Sequence, residues 1–248
     1  MNIAFIGCMV MSREIGYETF QSKNMVHTWW LQQGLHDTPK VLTETLQKTI
    51  DEVEKYNSRM DRKKRFDYIC LGYGLCSNGV VGIHSNTIPL IIPRCDDCIA
   101  LFLGSQVRYQ RLFHKYAGVY WYNTGWIEQA FTPSKQSYEQ LREKYLEKYD
   151  EETVEYLMEK EIEWVKKYKY SVYIESPLCR REEHEIYARE AAEAFGWRYK
   201  KEKGDMTLFH GLLNGPWPEE YFLACPPEHE VCAEYSERKI KAIPWKKR

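Results

Sequence analysis

Short apolar runs alternate with amphipathic segments along most of the chain. The runs are bounded by Gly, Pro or polar residues, which is typical of buried strands in a parallel sheet. The predicted strands cover 2–7, 25–31, 68–71, 88–92, 118–122, 170–175, 197–199 and 221–225. Alternating strands and helices indicate an α/β fold. We therefore predict a mostly parallel, doubly wound (Rossmann-like) sheet, formed by a single domain over 1–248.

The clearest helix follows Thr38, a predicted N-cap, and begins at Pro39. It carries apolar side chains on one face and charged side chains on the other, and the apolar positions are Leu42, Leu46, Ile50 and Val53. A second helix is predicted to open at 95–98 and to continue to about residue 116.

Residues 134–169 are unusually rich in Glu and Lys. We predict a charged helical hairpin inserted in the domain, with a break near the acidic cluster at 150–152. Such a segment is more typical of a lid, an insertion or a homodimer contact than of catalytic residues.

The charge balance gives no indication of an extended surface that binds nucleic acid. The 248 residues include 35 basic and 36 acidic side chains, for a net charge of −1. No apolar run has the length of a membrane span, and the first predicted strand lacks the flanks of a signal peptide. We expect a cytoplasmic protein that binds neither nucleic acid nor membrane.

The cysteines are the main candidates for a functional site. Eight of them in a cytoplasmic chain do not suggest a disulfide framework. Cys8, Cys76 and Cys98 each follow a different predicted strand, and ligands bind at the carboxyl ends of such strands. Converging thiolates repel one another unless a cation holds them, so the pattern predicts zinc or an iron–sulfur cluster with an open position. Three unrelated buried thiols remain the alternative.

Further candidate residues lie near the ends of predicted strands, with His36 after a different strand from the three cysteines. His36 is either a fourth ligand or a general acid–base group, or a hydrogen-bonded loop histidine. Asp97 caps a helix or supports a ligand, and Arg94 binds an anionic group or balances nearby acids. If the site is catalytic, His36, Asp97 and Arg94 are its candidate catalytic residues. Gly74 and Gly79 could contact a cofactor, although their loop, GYGLCSNG, matches no nucleotide-binding motif.

Three runs of sequence carry a resemblance to a known family: LGYGLCSNGVVGI, PLIIPRCDDCIALFLGS and VYWYNTGWIE. With LQQGLHDTP and NGPWPEEYFLACPP, they resemble domain-of-unknown-function family 1638. The family usually has His-Asp-Cys where this chain has Asp96-Asp97-Cys98, which argues against a role that needs imidazole at position 96. The positions that match the family's motif are Cys8, His36, Asp37, Cys76, Arg94, Asp97 and Cys98.

The resemblance implies an anaerobic context, because members occur mainly in anaerobes and methanogens, often encoded near corrinoid-dependent methyltransferases. We therefore expect a metalloprotein of corrinoid, one-carbon or sulfur metabolism that acts on a small-molecule substrate. We favour an iron–sulfur cluster over zinc. If the protein is an enzyme, its chemistry would be methyl transfer, sulfur transfer or reduction. The alternative is a non-catalytic adaptor that docks to a methyltransferase or its corrinoid protein through the charged hairpin.

Overall fold

The computed structural model describes residues 1–245, and the last three residues of the predicted domain lie outside this description. The chain forms two compact units. The first unit contains Met1–Arg108 and the segment from Asp205 onward, and the second contains Tyr109–Gly204. A single domain with an inserted hairpin stays a prediction.

Both units contain helices and strands. The helices are α1 Ser12–Gln21, α2 Pro39–Ser58, α3 Cys98–Phe102, α4 Gln106–Lys115, α5 Thr124–Gln129, α6 Lys135–Leu146, α7 Glu151–Glu163, α8 Glu182–Phe195 and α9 Thr207–Asn214. The strands are β1 Asn2–Cys8, β2 Met25–Leu31, β3 Tyr68–Gly72, β4 His84–Ser85, β5 Leu90–Pro93, β6 Val119–Asn123, β7 Tyr170–Glu175, β8 Arg198–Lys203, β9 Phe222–Cys225, β10 His229–Ala233 and β11 Ile240–Pro244.

The central sheet of the first unit has the strand order β2-β1-β3-β5-β9. Strand β1 runs parallel to β2 and β3, β5 runs parallel to β3, and β9 is antiparallel to β5. The predicted α/β fold with a mostly parallel sheet is thus confirmed. A small antiparallel sheet, β11-β10-β4, was not predicted, because its strands are short and only partly buried.

Helix α2 forms where the apolar periodicity predicts it. Thr38 is its N-cap and Pro39 its first residue, and Leu42, Leu46 and Ile50 are completely buried. Burial of each such side chain contributes about 1.5–3 kcal/mol. This packing fixes α2 beside the loop that follows β3, because the Thr43 hydroxyl donates to the Gly79 carbonyl over 2.9 Å.

The second unit has its own parallel sheet, in the order β6-β7-β8. Helices α6 and α7 occupy the charged segment, and Asp150 caps α7 by accepting from the Thr153 amide. The inner face of these helices joins a core rich in tyrosine, which includes Tyr122, Tyr138 and Tyr173.

The prediction of one helix from 95 to about 116 is wrong, because the structure has two shorter helices in this segment. Helix α3 begins only at Cys98, and Gly104 (φ +71°) separates it from α4. A Cβ at Gly104 would lie 2.5 Å from an Asp205 carboxylate oxygen, so a distant segment of chain occupies the space that a continuous helix needs. Within residues 1–245, no helix combines the length and apolar character of a membrane span.

Candidate functional site

Three strand ends meet at one edge of the central sheet. Cys8 is the last residue of β1, Cys76 lies four residues beyond the end of β3, and Cys98 begins the helix that follows β5. Strands β1, β3 and β5 are parallel neighbours in that order, so their carboxyl ends lie side by side. The sheet therefore has the strand order that the convergence of these cysteines requires.

Tyr73, which directly follows β3, lies among these cysteines. Its side chain is buried, and within residues 1–245 its hydroxyl has no hydrogen-bond partner. Burial strongly raises the pKa of Tyr73, and the neighbouring thiols of Cys8, Cys76 and Cys98 raise it further. All three predicted thiols therefore act electrostatically on one buried phenol.

The loop that carries Cys76 has an unusual backbone. Cys76, Ser77 and Asn78 are consecutive residues with left-handed φ angles of 45°, 57° and 70°. A left-handed conformation costs a residue other than glycine roughly 1–2 kcal/mol, and such strain concentrates at functional sites.

This loop is held against the segment that precedes α3. The amide of Leu75 donates to the carbonyl of Cys95 and that of Cys76 donates to the carbonyl of Asp96, each over 2.8 Å. The two backbones approach so closely that a Cβ at Gly74 would lie 2.7 Å from the Cys95 carbonyl oxygen. Gly74 thus allows the contact between the two segments that carry Cys76 and Cys98.

Burial keeps the enclosed thiols protonated. It raises the pKa of Cys8, and it raises that of Cys76 to about 12, with a further contribution from the nearby Asp97 carboxylate. Burial and the neighbouring Cys76 also raise the pKa of Cys95 well above its ordinary value. Cys98 is partly exposed. All eight cysteines lie within the described residues, and none forms a disulfide.

The adjacent carboxylates have defined roles. Asp97 caps α3, because its side chain accepts from the Ile99 amide over 2.9 Å. Asp96 accepts from the Gln106 amide over 2.6 Å and pairs with Lys239 over 3.0 Å. These contacts fix the segment on which Cys95 and Cys98 lie.

Other candidate residues make different contacts. His36 lies on the short turn Leu35–Asp37, with its Nε2 atom 3.3 Å from the Asp37 carboxylate. Arg94 is buried and donates to the backbone carbonyls of Phe222, Arg238 and Ile240. These bonds indicate a structural role for Arg94, whereas catalytic roles for His36 and Arg94 stay predictions. Gly79 packs closely against the Leu42 side chain, where a Cβ would lie 2.4 Å from a methyl carbon.

The family model DUF1638, which describes proteins of unknown function, matches residues 30–213. The chain belongs to this family. The matched part of this DUF1638 protein contains Tyr73, Cys76 and Cys98, while Cys8 precedes it. No curated protein and no solved structure is similar enough to the chain to count as a match.

Two features of the DUF1638 site were not predicted from the sequence. Tyr73 has no sequence signal beyond its place between two glycines, and Lys239 is remote in the chain from the Asp96 that it contacts. Over residues 1–245, no three His, Cys, Asp or Glu side chains stand in an arrangement that would already hold a metal ion.

Proposed function

We propose that this DUF1638 protein is a metalloprotein with Cys8, Cys76 and Cys98 as its ligands. One observation carries the proposal: three cysteines at the ends of three adjacent parallel strands all raise the pKa of the buried Tyr73, whose hydroxyl has no hydrogen-bond partner among residues 1–245. A buried hydroxyl without a partner costs about 1–3 kcal/mol, so the site is more favourable when something else supplies the missing interaction.

The donor set fits a soft metal centre. Cysteine thiolates are ligands for zinc and for iron–sulfur clusters, and three of them leave one coordination position open. We favour the cluster, with zinc as the alternative. When bound, a cluster would supply electron transfer or an open iron for a sulfur ligand, and zinc would supply a Lewis acid for activating a thiol.

The chain's own residues would prepare this site. The left-handed loop presents Cys76, and the capping Asp97 fixes the start of the helix that carries Cys98. The Tyr73 hydroxyl would donate a hydrogen bond to a ligand sulfur or to a bound substrate. Partial exposure of Cys98 leaves a route for a small one-carbon or sulfur compound, which is the substrate class that we propose.

The strand order supports a doubly wound, Rossmann-like arrangement for the first unit. The chain passes from β1 to β2 on one side, and then returns across β1 to β3 on the other side. Parallel crossovers are almost always right-handed, so the two connecting helices would cover opposite faces. The crevice at such a reversal is where open α/β sheets bind ligands, and Cys8 and Tyr73 lie beside it.

Anaerobic purification followed by iron, zinc and sulfide analysis tests the proposal. We expect stoichiometric metal in the unsubstituted protein and loss of most of it in Cys8→Ser, Cys76→Ser and Cys98→Ser. Cys232→Ser is the matched control, because Cys232 lies on β10 and is only partly buried. A brown protein with iron and sulfide supports the cluster, and a colourless protein with one zinc supports the alternative. Metal-free protein, or metal that survives all three substitutions, would refute the site.

A further inference from the structure

A basic cleft of about 550 Å³ lies in the second unit, at the amino ends of its parallel strands. Its volume falls within the roughly 300–1,000 Å³ that is usual for small-molecule sites. The cleft is formed by the ends of α4 and α8 and by the starts of β7 and β8, and its lining residues are Lys115, Ala117, Lys166, Tyr168, Lys169, Tyr170, Phe195, Gly196, Trp197 and Arg198.

Positive charge dominates the lining. It contains Lys115, Lys166, Lys169 and Arg198 and no acidic residue. The nearest paired carboxylate is Glu202, which lies 3.8 Å from the Lys115 ammonium group. Within residues 1–245, Lys166 and Lys169 form no ion pair.

The positive charge of the lining is larger than the negative charge at the nearby helix ends. Helices α4 and α8 both end at the cleft, and each carboxyl end carries about half a negative charge. Two such ends and the Glu202 carboxylate together offset about two of the four positive charges. The cleft therefore keeps a net positive charge of about two, which favours an anion.

Aromatic side chains form the remainder of the lining. Tyr168, Tyr170 and Phe195 are each half-buried, and the Arg198 guanidinium lies 5.9 Å from the centre of the Tyr170 ring. Trp197 packs against two of these side chains, with its ring centre 5.1 Å from that of Phe195 and 5.8 Å from that of Tyr168. Partly exposed rings that are held by a packed aromatic layer are suited to stacking against a planar ligand.

We propose that this cleft binds an anionic ligand that carries an aromatic ring, of the size of a mononucleotide. The lysines and Arg198 would contact its phosphate, and the aromatic side chains of the lining would contact its base. The site lies at the amino edge of its sheet, whereas the thiol cluster lies at the carboxyl edge of another sheet. The lining of the cleft contains none of the residues of the proposed metal centre.

Calorimetric titration of the full chain with 5′-AMP, adenosine and inorganic phosphate tests this proposal. We expect AMP to bind at one site, more tightly than either fragment, and with an affinity that falls as salt rises. Lys166→Ala and Arg198→Ala should each weaken AMP binding about tenfold, because each removes a charge-assisted contact with phosphate. Lys148→Ala is the matched control, since Lys148 is an exposed lysine of the same unit that does not line the cleft.

Several results would overturn the proposal. One is no heat or chemical-shift change with AMP at millimolar concentration. Another is equal affinity for AMP and phosphate, which would indicate nonspecific anion binding only. Binding of a single-stranded oligonucleotide but not of AMP would instead indicate a nucleic-acid surface. Unchanged AMP affinity in Lys166→Ala and Arg198→Ala, with circular dichroism showing both folded, would place the ligand elsewhere.

Discussion

Tyr73 of the first unit and Tyr122 of the second are both buried tyrosines near the ends of parallel strands. Burial strongly raises the pKa of both phenols. Their hydroxyls differ, because that of Tyr122 donates to the Pro133 carbonyl over 2.6 Å, whereas that of Tyr73 has no partner within residues 1–245 and its pKa is raised further by three thiols. The same residue type is thus used for stability in one unit and, in our interpretation, for binding in the other.

The backbone shows the same contrast. In the second unit the left-handed residue that ends α8 is Gly196 (φ 68°), the residue type that adopts this conformation most easily. In the first unit three residues other than glycine adopt it in succession, at the loop that carries Cys76. Glu228 and Lys239 also adopt this conformation, but each does so singly. We infer that a run of three such residues is tolerated only beside the thiols.

The largest expected effect comes from adding a methyl group at Gly74. In Gly74→Ala the new Cβ would lie 2.7 Å from the Cys95 carbonyl oxygen and 3.0 Å from the Asp97 amide nitrogen, so backbone must move. We expect a loss of about 2–4 kcal/mol in the free energy of unfolding, together with loss of bound metal. Gly196→Ala, which has nothing within 4 Å, should lose only about 1 kcal/mol. Equal losses in urea titrations would contradict the close packing of the thiol loop.

Alkaline pH should weaken the tyrosine core of the second unit. Burial, with a smaller contribution from Glu161, raises the pKa of Tyr138 to about 12. An unfolded tyrosine titrates near pH ~10, so this stabilisation is complete below pH ~10 and is lost as pH rises to ~12.

The raised pKa of Tyr138 contributes at most about 2.7 kcal/mol to the free energy of unfolding. This contribution is measured by comparing the unfolding free energies of the unsubstituted chain and Tyr138→Phe from pH ~9 to pH ~12. The advantage of the unsubstituted chain should shrink by up to that amount over this range. An advantage that stays constant would show that Tyr138 is not protected in the folded state.

Removing the two contrasted hydroxyls should have unequal effects. Tyr122→Phe leaves the Pro133 carbonyl without its donor, and we expect a loss of about 1–2 kcal/mol. Tyr73→Phe removes a hydroxyl that no group in the described part of the chain (1–245) pairs with, so the metal-free protein should be equally stable or slightly more stable. Thermal and urea denaturation of metal-free samples measure both. A loss in Tyr73→Phe that matches the loss in Tyr122→Phe would remove the distinction between the two residues.

The smallest expected effect concerns strain at Ser77. Ser77→Gly relieves a φ of 57°, although the more flexible unfolded chain offsets part of the gain. We expect the metal-free protein to gain about 0.5 kcal/mol. The matched change Ser58→Gly, at the end of α2, should instead lose a similar amount. A loss in both variants would show that the loop around Cys76 is not strained.

Local sequence patterns predicted the elements but not their arrangement. The α2 stripe and the Thr38-Pro39 start were predictable, because periodicity and capping are local properties. The break at Gly104 was not, since it depends on Asp205, a residue about a hundred positions away.

Within the candidate site, the cysteines could be identified as the ends of separate strands, but nothing in the sequence gives the order β1-β3-β5 that brings them together. Tyr73 was missed for the same reason. Whether a buried hydroxyl has a partner depends on tertiary contacts alone.

X-ray absorption at the iron or zinc edge of anaerobically purified protein tests the central claim most directly, because it counts the sulfur ligands of the bound metal. We predict sulfur as the main first neighbour at about 2.3 Å, with a smaller sulfur contribution in any metal that Cys8→Ser, Cys76→Ser or Cys98→Ser retains. A first shell of nitrogen and oxygen only, or a sulfur shell unchanged by these substitutions, would contradict a metal centre held by the three thiols around Tyr73.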